Sequence, residues 1–255
     1  MLRTLIAAAA ALFCMTEGSA AQDTIKVGLI LPMTGPFTST GKQVEAGVRF
    51  YVQQNGASVA GRKVEVILKD DGGVPDNSKR IAQELLVNDK VNVLAGFGLT
   101  PIALAVAPLA TETKTPMVVM AAATSIVTER SPYIVRSSFA QAQNVVVIAD
   151  WAAKSGFRKA VSVVSDFAPG YDSETYFKER FTQGGGEVPL GLRVPLLNPD
   201  FAPYLQRARD AKPDGLYVFI PAGQAATFMR QFLERGLDKS GITLFGAGEI
   251  GRAHV

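Results

Sequence analysis

The chain has 255 residues, 47% of them hydrophobic, and a formal net charge of +3 from 26 basic against 23 acidic side chains. That length holds one large or two modest domains with a real core, and the scattered, nearly balanced charges exclude the basic block that nucleic acid or an anionic membrane requires. The single cysteine, Cys14, and the single histidine, His254, lie near the two ends. Disulfides, thiolate metal sites and the usual thiol and imidazole catalysts are therefore excluded from everything between them.

The first 21 residues read as an export signal. Arg3 supplies the positive region, Leu5 to Met15 an apolar run too short to span a membrane as a helix, and Ser19-Ala20-Ala21 the small residues that place cleavage after Ala21. Cys14 leaves with that segment; Phe13 before it is not the small residue that precedes a lipid-anchored cysteine. A soluble exported product is expected.

Thr24 to Leu31 (TIKVGLIL) is rich in β-branched and apolar residues, as a strand buried on both faces should be. Pro32 to Pro36 ends it, and a helix is predicted over Gly41–Asn55 with Val44, Val48, Tyr51 and Val52 on one stripe. Arg62 to Lys69 is a second strand. Asp70, Asp71 and Asp76 in the next loop lack the closing glutamate of a calcium loop and are read as turn and capping residues. A helix follows over about Asn77–Asp89.

Asn92 to Ser125 (NVLAGFGLTPIALAVAPLATETKTPMVVMAAATS) reads as strand, helix, strand, with a loop of small residues after each strand. In parallel sheets ligands sit at the carboxyl ends of the strands. Thr100 is placed as an N-cap with Pro101 in the first turn, and such a helix start offers free N–H groups and a positive dipole end to an anion. The stretch is read as half of a site for a small carboxylate; the plainer alternative is a βαβ unit whose loops only turn.

Beyond it come strand Tyr133–Arg136, helix Gln141–Ser155, strand Lys159–Ser165, helix Asp172–Gln183, strand Glu187–Val194, a helix capped by Asn198-Pro199-Asp200, strand Gly215–Ile220, a helix opened by Pro221 to Gln224, and strand Ile242–Phe245. Strand and helix alternate throughout, which predicts an α/β fold with parallel sheets. The order repeats near residue 140. Two lobes are therefore expected, 22–139 and 140–248, with a cleft between them.

The segments IKVGLILPMTGPF, DDGGVPDNSKRIAQELLVNDKVNVLAGFG and NPDFAPYLQRARDAKPDGLYVFIPAG make Ile25 to Gly248 resemble the branched-chain amino-acid-binding-protein family. These are periplasmic solute-binding subunits of ABC importers, with a two-lobed type I fold, each lobe a parallel sheet flanked by helices about a hinge. The resemblance implies a periplasmic, monomeric protein that closes on a ligand and hands it to permease subunits in the inner membrane. It implies ligand contacts at Thr100, at Ala122, Ala123 and Thr124, at an aromatic ring supplied by Phe167 or Tyr171, and at Ala222 and Gly223. Two departures bear on the cargo. The serine-rich turn of amino-acid binders is reduced to Thr100, and the acidic partner for a ligand ammonium falls only at Glu249. A branched-chain or hydrophobic amino acid and an aromatic or organic acid both remain open, with Phe97, Leu99, Met120 and Phe167 available to line a pocket.

Residues 249–255 (EIGRAHV) can be encoded by a widely used sequencing adapter, and a non-native tail on a C-terminally truncated chain is expected there. An enzyme is not expected: the run GFGLTP lacks the third glycine of a dinucleotide fingerprint, and no phosphate-binding GxxxxGK[ST] run occurs. No cofactor or metal is expected. The same fold also serves as the ligand-sensing part of receptors, and that is the alternative role.

Overall fold

The computed structural model describes residues 24–247; the leader at 1–21, Glu249, His254 and the tail at 249–255 lie outside them. Two sheets organise the described residues. The first is built from β1 (Ile25–Leu31), β2 (Ser58–Val59), β3 (Arg62–Asp70), β4 (Val93–Gly96), β5 (Met117–Val119) and β6 (Ile134–Arg136), in the spatial order β2-β3-β1-β4-β5-β6. All its pairings are parallel except β2 against β3. The second is wholly parallel and holds β7 (Lys159–Ser165), β8 (Glu187–Val194), β9 (Gly215–Phe219) and β10 (Thr243–Gly246) in the order β10-β9-β7-β8.

The connecting helices are α1 (Thr38–Asn55), α2 (Pro75–Val87), α3 (Thr100–Thr113), α4 (Gln141–Lys154), α5 (Ala168–Gln183), α6 (Ala202–Asp210) and α7 (Ala222–Glu234). On one face of the first sheet, Ile81 and Leu85 of α2 and Ile102, Val106 and Leu109 of α3 are buried with Ile30, Leu94 and Met117. On the second sheet the α4–α5 side is aromatic: Phe177 stacks on Tyr217 with centroids 4.1 Å apart, and Phe181, Phe245, Phe157 and Trp151 extend the cluster. The opposite side holds Phe201, Leu205, Phe228 and Phe232 of α6 and α7 against Val161, Val163 and Val218. A large apolar core on each sheet is what makes two adjoining αβ layers stable rather than one long sheet.

Both sheets are doubly wound, and their order reverses at one place each. In the first sheet the chain passes from β1 to β3 on one side and then returns to β4 on the other, so the reversal lies between β1 and β4. In the second it lies between β7 and β9. At such points the loops leaving adjacent strands diverge and a crevice opens.

Several boundaries differ from the sequence reading. α1 begins at Thr38 rather than Gly41, because the Thr38 hydroxyl donates to the Gly35 carbonyl at 2.6 Å and closes a first turn early. α2 begins at Pro75, where a missing N–H costs nothing. Asp70 accepts from Met33 N, Thr34 N, Thr34 Oγ1 and Gly72 N, and Asp71 from Gly73 N and Ser78 Oγ. These carboxylates hold turns, and among the described residues no cluster of three or more His, Cys, Asp or Glu is placed to hold a metal.

The turn after β4 is the most constrained near the crevice. Gly96 sits at φ +109° and Phe97 at +66°. A bulky residue in the left-handed region costs on the order of 1–3 kcal/mol and persists only where its surroundings fix it. Here the Phe97 ring is fully buried, its N–H donates to the Ile30 carbonyl at 2.9 Å and its carbonyl accepts from Ala122 N at 3.0 Å. A side chain at Gly96 would overlap the Ile30 carbonyl oxygen. Gly96→Ala should therefore destabilise the protein by about 2 kcal/mol or more, read as a lower urea midpoint at unchanged slope; an unchanged midpoint would contradict the close approach.

Candidate functional site

A cavity of about 220 Å³ lies where the two sheet reversals face one another. Every loop that reaches it leaves the carboxyl end of a parallel strand. Thr40, Gln43 and Val44 come from α1 after β1; Gly98, Leu99 and Thr100 follow β4; Met120 to Ala123 follow β5; Ser138, Phe139 and Gln141 follow β6. From the second sheet Phe167 and Pro169 follow β7, Phe219, Pro221 and Ala222 close β9 and start α7, and Ala247 follows β10. The backbone ladder continues past the strands, Met120 N donating to Gly96 O at 2.8 Å and Ser137 N to Val119 O at 3.0 Å, so the loops after β4, β5 and β6 form one platform.

The electrostatics of this lining come from the backbone. Helices α3, α4, α5 and α7 all point their amino ends at the cavity, through Thr100, Gln141, Pro169 and Ala222. The residues just before them, Leu99, Ala140, Phe167 and Pro221, have no side-chain oxygen with which to cap. First-turn N–H groups and the positive ends of the helix dipoles therefore face the cavity, an arrangement that favours an anion. The lining side chains are neutral, with two phenylalanines from the second sheet, Phe167 and Phe219, stacked at 6.1 Å and 20°.

Thr100 is the first residue of α3, not its cap. Its buried hydroxyl pairs with that of Thr124 at 2.9 Å, across 24 residues of chain. Thr124 is held in turn: its carbonyl accepts from Arg136 Nη2. Burial lowers the pKa of the Arg136 guanidinium, and the Asp172 carboxylate opposes that shift. Asp172 lies on α5, and accepts from both the N–H and the hydroxyl of Ser125, each at 2.9 Å. The loop after β5 is thus tied to the helix that follows β7. Gln141 strengthens the same junction, its N–H donating to Ala123 O and its Nε2 to Ser173 Oγ, both at 2.8 Å.

Of the residues expected to bind, Thr100, Ala122, Ala123, Phe167 and Ala222 line the cavity, and Thr124 stands behind Thr100. Tyr171 and Gly223 lie outside the lining. Tyr171 is 39% exposed, donates its hydroxyl to Asp166 at 2.8 Å and carries the Arg193 guanidinium 4.5 Å over its ring. Hydrogen bonding to Asp166 raises the pKa of the Tyr171 phenol. Gly223 instead meets the other side of the cleft, where a Cβ would overlap the carbonyl oxygen of Pro36. Pro36 follows the turn that Asp70 staples through Met33 and Thr34. Thr40, Gln43, Val44, Ser138, Phe139, Gln141, Pro169, Phe219 and Pro221 are additional lining residues that the sequence reading did not single out. One rule would have found six of them: Ser138, Phe139, Gln141, Pro169, Phe219 and Pro221 lie at or within a few residues of the carboxyl end of a parallel strand.

Comparison with known proteins agrees with this geometry. A solute binding protein of an ABC transporter from Rhodopseudomonas palustris BisB5, solved in complex with 3,4-dihydroxybenzoic acid, superposes with a TM-score of 0.87 at 62% identity, over 89% of this chain and 63% of that one. A second from R. palustris, in complex with 4-hydroxybenzoate, gives 0.87 at 43% identity over 89% and 62%. Among curated sequences, Leu/Ile/Val-binding protein homolog 6 of Brucella melitensis is 43% identical over 244 residues, 95% of this chain and 63% of that protein. The chain therefore spans somewhat under two thirds of the length of these relatives. The family model described as periplasmic binding protein matches residues 24–254. Two doubly wound sheets with their reversals facing across a cleft are the type I, two-lobed arrangement of these structures, and the chain belongs to the periplasmic binding protein family.

Proposed function

We propose that the protein is the exported solute-binding subunit of an ABC importer, acting as a periplasmic monomer that delivers its cargo to the permease, and that the cargo is a small aromatic carboxylate. The observation that carries the cargo is the composition of the cleft: the amino ends of four helices and the Thr100–Thr124 hydroxyl pair for the carboxylate, and the stacked Phe167 and Phe219 beside an apolar wall of Leu99, Met120 and Phe139 for a ring. A carboxylate held by oriented N–H groups needs no cationic side chain. The α-ammonium of an amino acid would meet only neutral side chains among the described lining residues, and burying an unpaired charge is costly. The two R. palustris relatives in complex with hydroxylated benzoates support the same class. In this reading the lobes divide near residues 139 and 140, where the chain leaves the first sheet for α4, and Thr100, Ala122, Ala123, Phe167 and Ala222 contact the ligand while Thr124 orients Thr100.

The cargo is tested by thermal shift with benzoate, hydroxybenzoates, leucine and valine. A ligand at 100 times its Kd adds about 2.7 kcal/mol, a shift of several degrees. Benzoates should shift the melting temperature and the aliphatic amino acids should not; a leucine shift equal to that of the benzoates would overturn the aromatic reading. Thr100→Val, nearly isosteric, should weaken benzoate binding roughly 10- to 100-fold in calorimetric titration, the loss of one hydrogen bond to a charged group. An unchanged Kd would remove Thr100 from the site.

Closure should depend on Gly223, since a ligand stabilises the closed state only if both sides can approach. Gly223→Ala should weaken binding about 10-fold or more while leaving the melting temperature of the unliganded protein unchanged, and small-angle scattering with ligand should report a more open particle. Wild-type affinity in this variant would show that the Gly223–Pro36 approach plays no part in closure.

A further inference from the structure

Among the described residues that line the cavity, one buried side-chain polar atom makes no hydrogen bond. Ser138 Oγ lines the cavity, is buried from solvent and makes no hydrogen bond. A buried hydroxyl left unpaired costs roughly 1–3 kcal/mol relative to one that is satisfied, and such atoms in folded proteins call for a specific explanation. Local structure does not remove the cost. Ser138 follows β6 on a backbone fixed by the Ser137 N–H to Val119 carbonyl bond at 3.0 Å. Two residues earlier Arg136 Nη2 donates to the Thr124 carbonyl and three residues later Gln141 donates to Ser173 and Ala123, none of them to Ser138 Oγ, and Arg136 Nε is itself buried without a partner.

Its place in the sheet says what could satisfy it. Thr100 leaves β4 and Ser138 leaves β6, with β5 between them. Two strand spacings separate those mouths, roughly 9–10 Å. A benzene ring bearing a carboxylate at one end and a hydroxyl at the other is about 6 Å long between its oxygens, and with hydrogen bonds of about 2.8 Å bent out of line at its two ends it bridges that separation. The floor between them is Met120, Ala121 and Ala122, small or apolar side chains over which a ring can lie flat.

We infer that Ser138 is a specificity-determining residue: its hydroxyl pairs with a ring hydroxyl of the cargo, opposite the carboxylate end, so that the site selects para-hydroxylated benzoates over benzoate itself. This rests on the aromatic-carboxylate reading given above and adds the substituent that the site recognises. The selectivity has a stated physical origin. Benzoate would enter with Ser138 still unpaired, whereas 4-hydroxybenzoate completes it, and leaving a buried polar group unpaired is how binding sites reject an analogue that lacks the matching group.

The test is a calorimetric comparison of the purified wild-type protein with Ser138→Ala, using benzoate and 2-, 3- and 4-hydroxybenzoate. Wild type should bind 4-hydroxybenzoate most tightly, about 10-fold over benzoate, with the 2-isomer, whose hydroxyl lies beside the carboxylate, gaining least. Ser138→Ala should lose about 10-fold for 4-hydroxybenzoate and keep or slightly improve its affinity for benzoate, since the unpaired hydroxyl is gone; retained benzoate binding also shows that the variant is folded. Equal losses for benzoate and 4-hydroxybenzoate would assign Ser138 to the carboxylate and overturn the inference, as would no loss for either. Wild-type protein that binds none of the four acids would instead overturn the aromatic-carboxylate reading itself.

Discussion

Parallel β–α–β winding leaves every helix start at the same edge of its sheet, and the polar character of the cleft follows from that constraint. Each peptide dipole along a helix is small, but four helices aimed at one cavity of about 220 Å³ make a positive environment out of backbone alone. The residues before those helices, Leu99, Ala140, Phe167 and Pro221, offer no side-chain oxygen to the first turns, although some first-turn N–H groups, such as those of Gln141, Gly170 and Gln224, are taken by nearby carbonyls. The side chains are then free to be apolar, and they are: the lining is dominated by alanine, phenylalanine, leucine, methionine and proline. The anion-favouring field and the apolar lining are thus supplied by different parts of the molecule, one by connectivity and one by side chains.

Holding such a platform carries local costs. Phe97 occupies the left-handed region, which the fold tolerates because the ring is fully buried and both its backbone groups are engaged. Thr124 is fixed through its hydroxyl by Thr100 and through its carbonyl by Arg136, while Asp172 reaches from the second sheet to Ser125 beside it. The strained Phe97 and the paired, buried Thr100 and Thr124 thus stand close together after β4 and β5, and the helices packed behind them are ordinary apolar core. That division is expected where a rigid scaffold positions a binding surface.

The alternation of apolar strands with amphipathic helices made the α/β class and the order of elements legible in the sequence. The repeat of that order near residue 140 pointed to two lobes, and the resemblance carried by segments such as IKVGLILPMTGPF named the same arrangement. Thr100, Ala122, Ala123, Phe167 and Ala222 were legible as lining residues for a simple reason: each lies within a few residues of the carboxyl end of a strand. The role of Thr100 was not, since its partner Thr124 is 24 residues away and no local pattern encodes that pairing. Tyr171 could not be separated from Phe167 by spacing alone; four residues on, the chain has made a turn of α5 and the ring lies over the surface with Arg193. Phe219 was hidden inside the apolar run of β9, where a residue facing the cleft and one facing the core look alike. Ser138 carries no sequence signal at all, because an unpaired hydroxyl is defined by what surrounds it.

The facing reversals of the two sheets have a consequence for how such a protein can change. Where the cavity lies is decided by strand order, which point substitutions do not alter. What lines it is decided by a few side chains at or just beyond the carboxyl ends of those strands, such as Met120, Ser138, Phe167 and Phe219, of which the two phenylalanines also belong to the apolar core. Under the proposed role, cargo preference can therefore drift across generations, or be redirected by design, while the strand order that places the cavity stays as it is.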